Sequence, residues 1–212
     1  MQPNSAKLYS SGHLLQIARD NVRASQADTL PSIVAIVFSA LSLEAIVNEL
    51  LEIVREPMHT LSRHELATAA ALAEAAGLYT RQATIEAKIL GLVSSLSGTK
   101  VTSGGQPYQD CGLLVTVRNL IVHSRPETRI EDEDGIWPAP KVVKRLVERR
   151  VLAAPDVVAV GATIGDLQNY AVARWSFETM VATVQAIIES FPRTVRANEN
   201  LDAFYGRENL DL

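Results

Sequence analysis

Apolar residues recur with helical spacing along most of the chain. In the segment 109–126, Leu114, Val117 and Ile121 follow one another every three or four residues, which predicts an amphipathic helix. In a longer segment, 32–55, apolar residues lie nearly all round the predicted helix in the first half and on one face of it in the second half. We therefore expect a bundle of packed helices with the helix over 32–55 at its centre.

Capping residues and helix breakers set the expected ends of the helices. Thr29 or Ser32 is the expected N-cap of the long apolar helix, because a hydroxyl suits that position. Ser62 and Glu65 form a capping-box pattern that predicts the start of an Ala-rich helix. Gly77 is a suitable C-terminal stop for this helix. Further helices are predicted over residues 6–24, 81–96 and 141–152, and a last long helix begins at Thr163 or Asp166 and ends near Phe191.

Composition agrees with an all-α fold. Hydrophobic residues make up 47% of the 212 residues but aromatic residues only 5%, a balance that favours packed helices over a β-sandwich. Residues 126–162 are expected to hold loops, the basic helix and one short strand at 157–160. We predict one helical domain over residues 1–192 and a polar C-terminal segment, 193–212, that forms a loose tail or a docking arm for a partner.

Charge and cysteine content narrow the function classes. The net charge is −4, so an RNA-binding protein with this sequence would need a local basic patch instead of an overall positive field. The single cysteine, Cys111, excludes an intrachain disulfide and fits a reducing compartment such as the cytoplasm. The most apolar run, 30–43, is shorter than the ~20 residues that span a bilayer, so we expect a buried helix and no membrane segment.

Several common enzyme motifs are missing from the sequence. It contains no P-loop, no GxSxG nucleophile motif and no dinucleotide-binding fingerprint. His64 and Glu65 begin like a zinc-protease motif, but the second histidine of that motif is absent. We therefore expect neither a metal nor a cofactor.

The helix in the segment 109–126, which we expect to end near His123 or Ser124 because Pro126 disfavours helix at Arg125, carries the main candidate site. Arg118, Asn119 and His123 fall off its apolar stripe, and Asn119 and His123 are one turn apart on the same face. A histidine titrates near neutral pH and can move a proton, and an arginine can hold a phosphate through two hydrogen bonds. The alternative is structural, since a histidine cation near a helix C-terminus suits the negative end of the helix dipole.

An arginine and a histidine separated by four residues at the end of a helix resemble the signature of the HEPN domain family. The segments 41–51 and 86–92 resemble the acidic helix and the middle helix of these domains, and the likeness covers residues 30–191 as a pattern of helices. The resemblance implies an up-down helical bundle and a metal-independent endoribonuclease, often a toxin or a phage-defence effector. It also implies that Arg118 and His123 are catalytic.

Other residues are assigned supporting roles. Glu44 lies in an apolar helix, so we expect it to pair with Arg118 in a mostly apolar setting, and Glu44→Ala to cost about 3 kcal/mol. Asn119 either orients the phosphate or His123, or bonds a neighbouring helix. Arg125 and the basic segment are candidate RNA contacts, although a solvated helix face explains the segment at least as well. The cations of that segment are Lys141, Lys144, Arg145, Arg149 and Arg150, and the first three are the named candidates for RNA contact.

Three functions stay open. The first is an endoribonuclease that cleaves single-stranded RNA, and the second is a non-catalytic HEPN-like module that dimerises or holds a partner protein. The third and most distant is a helical adaptor that is unrelated to HEPN domains. Arg118 and His123 together favour the enzyme, whereas the weak overall charge favours the scaffold.

RNA cleavage needs a base on the attacking side and an acid on the leaving side, and no second histidine lies near this motif. We therefore expect a homodimer that packs through Val115 and Val122 around a composite site, with an antitoxin or a defence protein as a further partner.

Overall fold

The computed structural model describes residues 11–123, 141–153, 163–206, 210 and 212. Over these residues the fold is all-α, as predicted, with ten helices and no strand. The helices are α1 (Ser11–Ala24), α2 (Pro31–Arg55), α3 (Thr60–Ala75), α4 (Ile85–Ser97), α5 (Tyr108–Val122), α6 (Lys141–Glu148), α7 (Thr163–Leu167), α8 (Tyr170–Ser190), α9 (Arg193–Asn198) and α10 (Leu201–Tyr205). The strand predicted at 157–160 lies outside the described residues.

Helix α2 is the centre of the bundle, as its apolar sequence predicts. It packs against α1, α3, α4, α5 and α8. Leu43, Ile46, Val47 and Leu50 on α2 have no solvent exposure. Among the described helices α2 is also the one long and apolar enough to cross a membrane, but half of its most apolar stretch is buried inside the bundle. Core packing therefore accounts for much of its apolar character.

Helix α5 buries the stripe that its spacing predicts. Leu113, Leu114 and Val117 have no solvent exposure, and Leu120 and Ile121 pack against the same core with partial exposure. Burying three aliphatic side chains of this size contributes on the order of 2 kcal/mol each before entropy is counted. Helix α5 packs against α2, α4, α6 and α8, and its exposed polar residues lie off this apolar stripe.

The expected cap of α2 is wrong. The helix begins at Pro31, with Leu30 at the N-cap position and no side-chain cap hydrogen bond. Proline suits the first helical position because the N–H that it lacks would have no partner in the helix. Ser32 lies inside the helix and is fully buried, and the carboxylate of Asp28 accepts the N–H of Leu30 at 3.1 Å.

The capping box expected at Ser62 is also wrong, for a different reason. Helix α3 begins at Thr60, which places Ser62 inside the helix. The carboxylate of Glu199 lies at this helix start and accepts the N–H groups of Met58 and His59, each at 3.1 Å. A negative charge is favourable at the N-terminus of a helix. The local pattern could not show a carboxylate that comes from so far along the chain.

Two further helix boundaries differ from the predictions, and one agrees. Gly77 follows α3 with a φ of 67°, the left-handed conformation predicted for this stop. Helix α4 begins at Ile85, later than expected, because Thr84 is its cap and accepts the N–H of Ala87 at 3.2 Å. The last long helix is divided into α7 and α8, and Asn169 caps the second part.

The C-terminal segment is packed where the structure describes it. Residues 193–206 contain α9 and α10, and Val195 and Leu201 have no solvent exposure. The hydroxyl of Tyr205 donates a hydrogen bond to Glu49 of α2 at 2.6 Å. The expectation of a loose tail is therefore wrong for these residues, because few but well-spaced apolar side chains are enough to attach two short helices. The domain boundary at residue 192 stays a prediction.

Candidate functional site

The C-terminal end of α5 presents the predicted motif at the surface. The helix ends at Val122, and His123 follows as its C-cap residue, with its N–H donating to the carbonyl of Asn119 at 2.9 Å. This backbone hydrogen bond places Asn119 and His123 one turn apart. The side chains of both residues are exposed, whereas Arg118 is partly buried. The imidazole is thus accessible to a large substrate.

Two oxygen atoms lie close to the guanidinium of Arg118. Nη1 donates to Asn119 Oδ1 at 2.9 Å, and Nη2 lies 3.9 Å from Glu44 Oε2. The second distance is well beyond the ~2.7–2.9 Å of a charge-assisted hydrogen bond. Since an arginine has five N–H donors, these contacts leave it able to hold another anion.

The expected contact between Glu44 and Arg118 is present, but its setting is not apolar. The side chain of Glu44 is 50% exposed and that of Arg118 is 26% exposed. Neighbouring residues of α2, such as Leu43 and Val47, take the buried positions, so Glu44 lies on the outer side of the helix. The expected cost of about 3 kcal/mol for Glu44→Ala is therefore wrong, because a half-exposed pair is typically worth at most about 1 kcal/mol.

A second cation beside this pair was missed in the sequence. Lys88 of α4 donates through Nζ to Asn48 Oδ1 at 2.8 Å. Asn48 and Glu44 are one turn apart on α2, so Lys88 and Arg118 reach the same face of that helix. The i, i+4 spacing of two polar residues in an apolar helix was the signal that could have shown this face. We define the polar patch as Glu44, Asn48, Lys88, Arg118, Asn119 and His123.

The predicted basic helix is present as α6, although it ends at Glu148 and not at residue 152, and its two sides differ in exposure. The predicted RNA contacts of this helix are all exposed, namely Lys141, Lys144 and Arg145. The residues that attach it to the bundle are buried, namely Val142, Val143 and Leu146. No described contact joins the three cations to the polar patch, and Arg125 lies outside the described residues. Their role as RNA contacts stays a prediction.

Arg149, which follows α6, has a structural role. Its Nη1 lies 2.6 Å from Asp110 Oδ1, and its Nη2 donates to Gln109 Oε1 at 2.6 Å. These contacts attach α6 to the first turn of α5. At 1.5 Å per residue, Asp110 lies about 12 Å along the helix from Arg118. This cation of the basic segment is therefore engaged at the end of α5 that is remote from the polar patch.

Apolar residues border the polar patch on α5, as predicted. The side chain of Val122 is 49% exposed, and Val115 is partly exposed. Cys111, on the same side of the helix but at its other end, is 2% exposed. Burial, followed by the negative charge of Glu86, raises the pKa of the Cys111 thiol to about 12, so the thiol is protonated at neutral pH. A buried and protonated thiol contributes to the apolar packing and is a poor nucleophile.

The residues of the polar patch make a poor metal site. Among the residues that the structure describes, no group of three or more His, Cys, Asp and Glu could hold a metal ion. Within the patch the potential ligands are one imidazole and one carboxylate, fewer than the three or four protein ligands of ordinary zinc sites. Proton transfer and charge stabilisation by side chains are the chemistry that this patch can offer.

Comparisons of the chain with protein-family models, with curated proteins and with solved structures found no match. The resemblance to HEPN domains thus depends on the motif and on the pattern of helices. The chemistry and the accessibility of the patch are the observations that bear on function.

Proposed function

We propose that this chain is a metal-independent endoribonuclease of the HEPN type that cleaves single-stranded RNA. The observation that carries the proposal is an exposed imidazole, His123, close along one helix to the loosely paired guanidinium of Arg118. These are the two side-chain types that the reaction needs, a group that moves protons near neutral pH and a cation that binds phosphate. Their place on an open surface suits a polymeric substrate.

In the proposed reaction His123 accepts the proton of a ribose 2′-hydroxyl, and the 2′-oxygen attacks the adjacent phosphorus. The bond from phosphorus to the 5′-oxygen breaks, and the leaving oxygen takes a proton from an acid. The products are a 2′,3′-cyclic phosphate and a 5′-hydroxyl. Arg118 donates to the non-bridging oxygens as negative charge develops, and Asn119 holds one arm of its guanidinium in place.

A second copy of the chain supplies the acid in this proposal. An isologous dimer brings the same surface of both copies together, which sets His123 of each copy beside its symmetry mate. The half-exposed Val122 and the partly exposed Val115 give such an interface apolar area to bury next to the patch. The composite cleft would then contain Arg118 and His123 of both copies.

The proposed biological role is that of a bacterial toxin or phage-defence effector in the cytoplasm. An enzyme of this kind needs control, so an antitoxin or another defence protein is the proposed partner. Cations near the cleft would guide RNA towards it, and Lys88, which donates to Asn48 one turn from Glu44 on α2, is one candidate. Lys141, Lys144 and Arg145 are proposed as a separate RNA contact on α6.

The chemical assignment is tested by cleavage of a fluorescently labelled single-stranded RNA with the purified chain. We expect His123→Ala to lower kcat about 100-fold or more with the fold retained, because the proton-transfer group is lost. EDTA should have no effect, and the new ends should be a cyclic phosphate and a 5′-hydroxyl. The matched control is His64→Ala, which removes an exposed histidine from α3. Unchanged cleavage by His123→Ala would remove this histidine from the mechanism.

The dimer is tested by a charge placed on its proposed interface. We expect Val122→Asp to give monomers and to abolish cleavage together, since the carboxylate would be buried between the two copies. The control is Leu72→Asp on α3, where the side chain is 46% exposed, close to the 49% of Val122. Sedimentation and cleavage are measured on the same samples. Monomers that cleave RNA at the wild-type rate would rule out a composite site.

A non-catalytic dimerisation module is the second candidate. The half-exposed Val122 favours it, because an apolar residue beside a polar patch serves an interface with or without catalysis. This candidate predicts a dimer that Val122→Asp disrupts, with no RNA cleavage at any concentration and no effect of His123→Ala on dimerisation.

A further inference from the structure

A cavity of about 330 Å³ lies between α4, Ser103 and the first turns of α5. This volume is at the lower end of the ~300–1,000 Å³ that small-molecule sites occupy. At ~30 Å³ per molecule of liquid water, it has room for roughly ten non-hydrogen atoms. Its apolar wall is formed by Ile89, Leu90, Cys111 and Gly112, and its polar groups are Glu86, Ser103 and Tyr108.

Gly112 keeps one wall of the cavity open. A Cβ atom added at this residue would meet nothing within 4 Å. Glycine is a poor helix former, and Gly112 lies within α5 at a position where no positive φ requires it. At Gly91 of α4, by contrast, a Cβ atom would come within 2.7 Å of Leu78, so close packing explains that glycine. A side chain at residue 112 would therefore reduce the volume of the cavity.

Glu86 brings a negative charge to the cavity, and that charge has no cation beside it among the described residues. The carboxylate makes no hydrogen bond or ion pair within the part of the chain that the structure describes. It lies in the first turn of α4, where a negative charge is favourable, but it makes no capping hydrogen bond, because Thr84 already accepts the N–H of Ala87. The field of Glu86 reaches the opposite wall, where it helps burial to raise the pKa of Cys111. A positive charge would therefore be stabilised inside this cavity.

The other polar groups of the cavity are neutral. Burial raises the pKa of the Tyr108 hydroxyl, which is therefore protonated at neutral pH. The Cys111 thiol is protonated for the same reason and adds apolar surface. With one anion, neutral hydroxyls and an aliphatic wall, the cavity is suited to a ligand that is apolar over most of its surface and positive at one end.

We propose that this cavity binds a small organic amine in its protonated form. The apolar body of the amine packs against Ile89, Leu90 and Cys111, and its ammonium group donates to Glu86. The carboxylate would repel an anionic ligand. An uncharged ligand would remove water from the Glu86 carboxylate without giving it a positive partner in return. This proposal is independent of the RNase proposal, which concerns the other end of α5.

The test is a titration of the isotope-labelled full-length chain with 2-phenylethylamine, followed by the NMR shifts of its amide groups. For a ligand of this size we expect a dissociation constant on the order of 1 mM, with the largest shifts at Ile89, Cys111 and Gly112. The uncharged 2-phenylethanol has nearly the same shape, and its dissociation constant should be at least about 10-fold higher. Equal affinity for the amine and the alcohol, or no binding of the amine, would overturn the proposal.

Two variants and one control locate the binding. Gly112→Leu fills the cavity and should weaken amine binding at least about 10-fold, while the better helix former preserves α5. Gly12→Leu is the matched control, because a Cβ atom on this glycine of α1 also meets nothing within 4 Å, remote from the cavity. Glu86→Gln should make the amine bind as weakly as the alcohol. Wild-type amine affinity in a folded Gly112→Leu, or in Glu86→Gln, would overturn the assignment whatever the outcome of the RNA experiments.

Discussion

The two ends of α5 each carry an arginine–carboxylate pair, and the two pairs differ in tightness. At the N-terminal end, Arg149 Nη1 is 2.6 Å from Asp110 Oδ1, and the side chains are 25% and 21% exposed. At the C-terminal end, Arg118 Nη2 is 3.9 Å from Glu44 Oε2, and the side chains are 26% and 50% exposed, so the pairs differ in distance and in the exposure of the carboxylate. A short ion pair that is shielded from water holds two elements together. A long ion pair with an exposed carboxylate leaves its cation available to bind another anion.

The surroundings of the two pairs reinforce this difference. Arg149 also donates to Gln109, and Asp110 is in the first turn of α5, where a negative charge is favourable. Arg118 donates to its neighbour Asn119, which is itself exposed. One end of the helix is therefore fixed to α6, and the other end presents hydrogen-bond donors to the solvent. This separation is what a surface site needs, namely a rigid support with accessible polar groups.

The comparison predicts its largest effect for removal of the two arginines. Arg118→Ala should lower RNA cleavage about 100-fold with little change in stability, because the proposed phosphate-binding cation is lost while its long pair with the half-exposed Glu44 adds little stability. Arg149→Ala should lower stability and leave kcat per folded molecule within about 3-fold of wild type. Cleavage assays and thermal melts of the two variants, carried out in parallel, measure both quantities. A larger loss of kcat in Arg149→Ala than in Arg118→Ala would reverse the roles assigned to the two ends.

A smaller effect is expected for the carboxylate at the fixed end. Asp110→Ala should lower the free energy of unfolding by about 1–2 kcal/mol, since it removes a short ion pair that is largely shielded from water. Urea denaturation measures this change. The control is Asp202→Ala, whose carboxylate is 61% exposed and lies 3.6 Å from Arg196, and which should cost well under about 1 kcal/mol. Equal midpoints for the two variants would show that the Asp110 pair adds no stability of its own.

Much of the fold was predictable because helices have a local signal. The stripe of Leu114, Val117 and Ile121 set the register of α5, and the length and apolarity of 32–55 identified the central helix. Local patterns failed where a distant residue acts on a helix end. The carboxylate of Glu199 lies at the start of α3, so the hydroxyl at Ser62 was not needed as a cap.

The candidate site was predictable in its residues but not in its setting. Spacing along α5 placed Asn119 and His123 on one exposed side, and the structure agrees. The packing of the helices decides which cations of the basic segment form ion pairs with carboxylates. The pair of Arg149 with Asp110 could therefore not be predicted from the sequence. The exposure of Glu44 was hidden by the average apolarity of α2, since one outer side of a central helix can still face water.

The smallest expected effect concerns Glu44 at the open end of α5. In a monomeric background made with Val122→Asp, Glu44→Ala should change the free energy of unfolding by at most about 1 kcal/mol, because water screens a half-exposed pair. A double-mutant cycle with Arg118→Ala isolates the pairwise part and should give less than about 0.5 kcal/mol. A coupling near 3 kcal/mol in the monomer would mean that the pair is buried and that the two ends of α5 do not differ as described.

The same cycle, measured without Val122→Asp, also tests where the proposed dimer interface lies. If the second copy covers the patch, it removes water from Glu44 and Arg118, so the coupling should exceed the monomer value. An identical coupling in monomer and dimer would place the interface away from this end of α5.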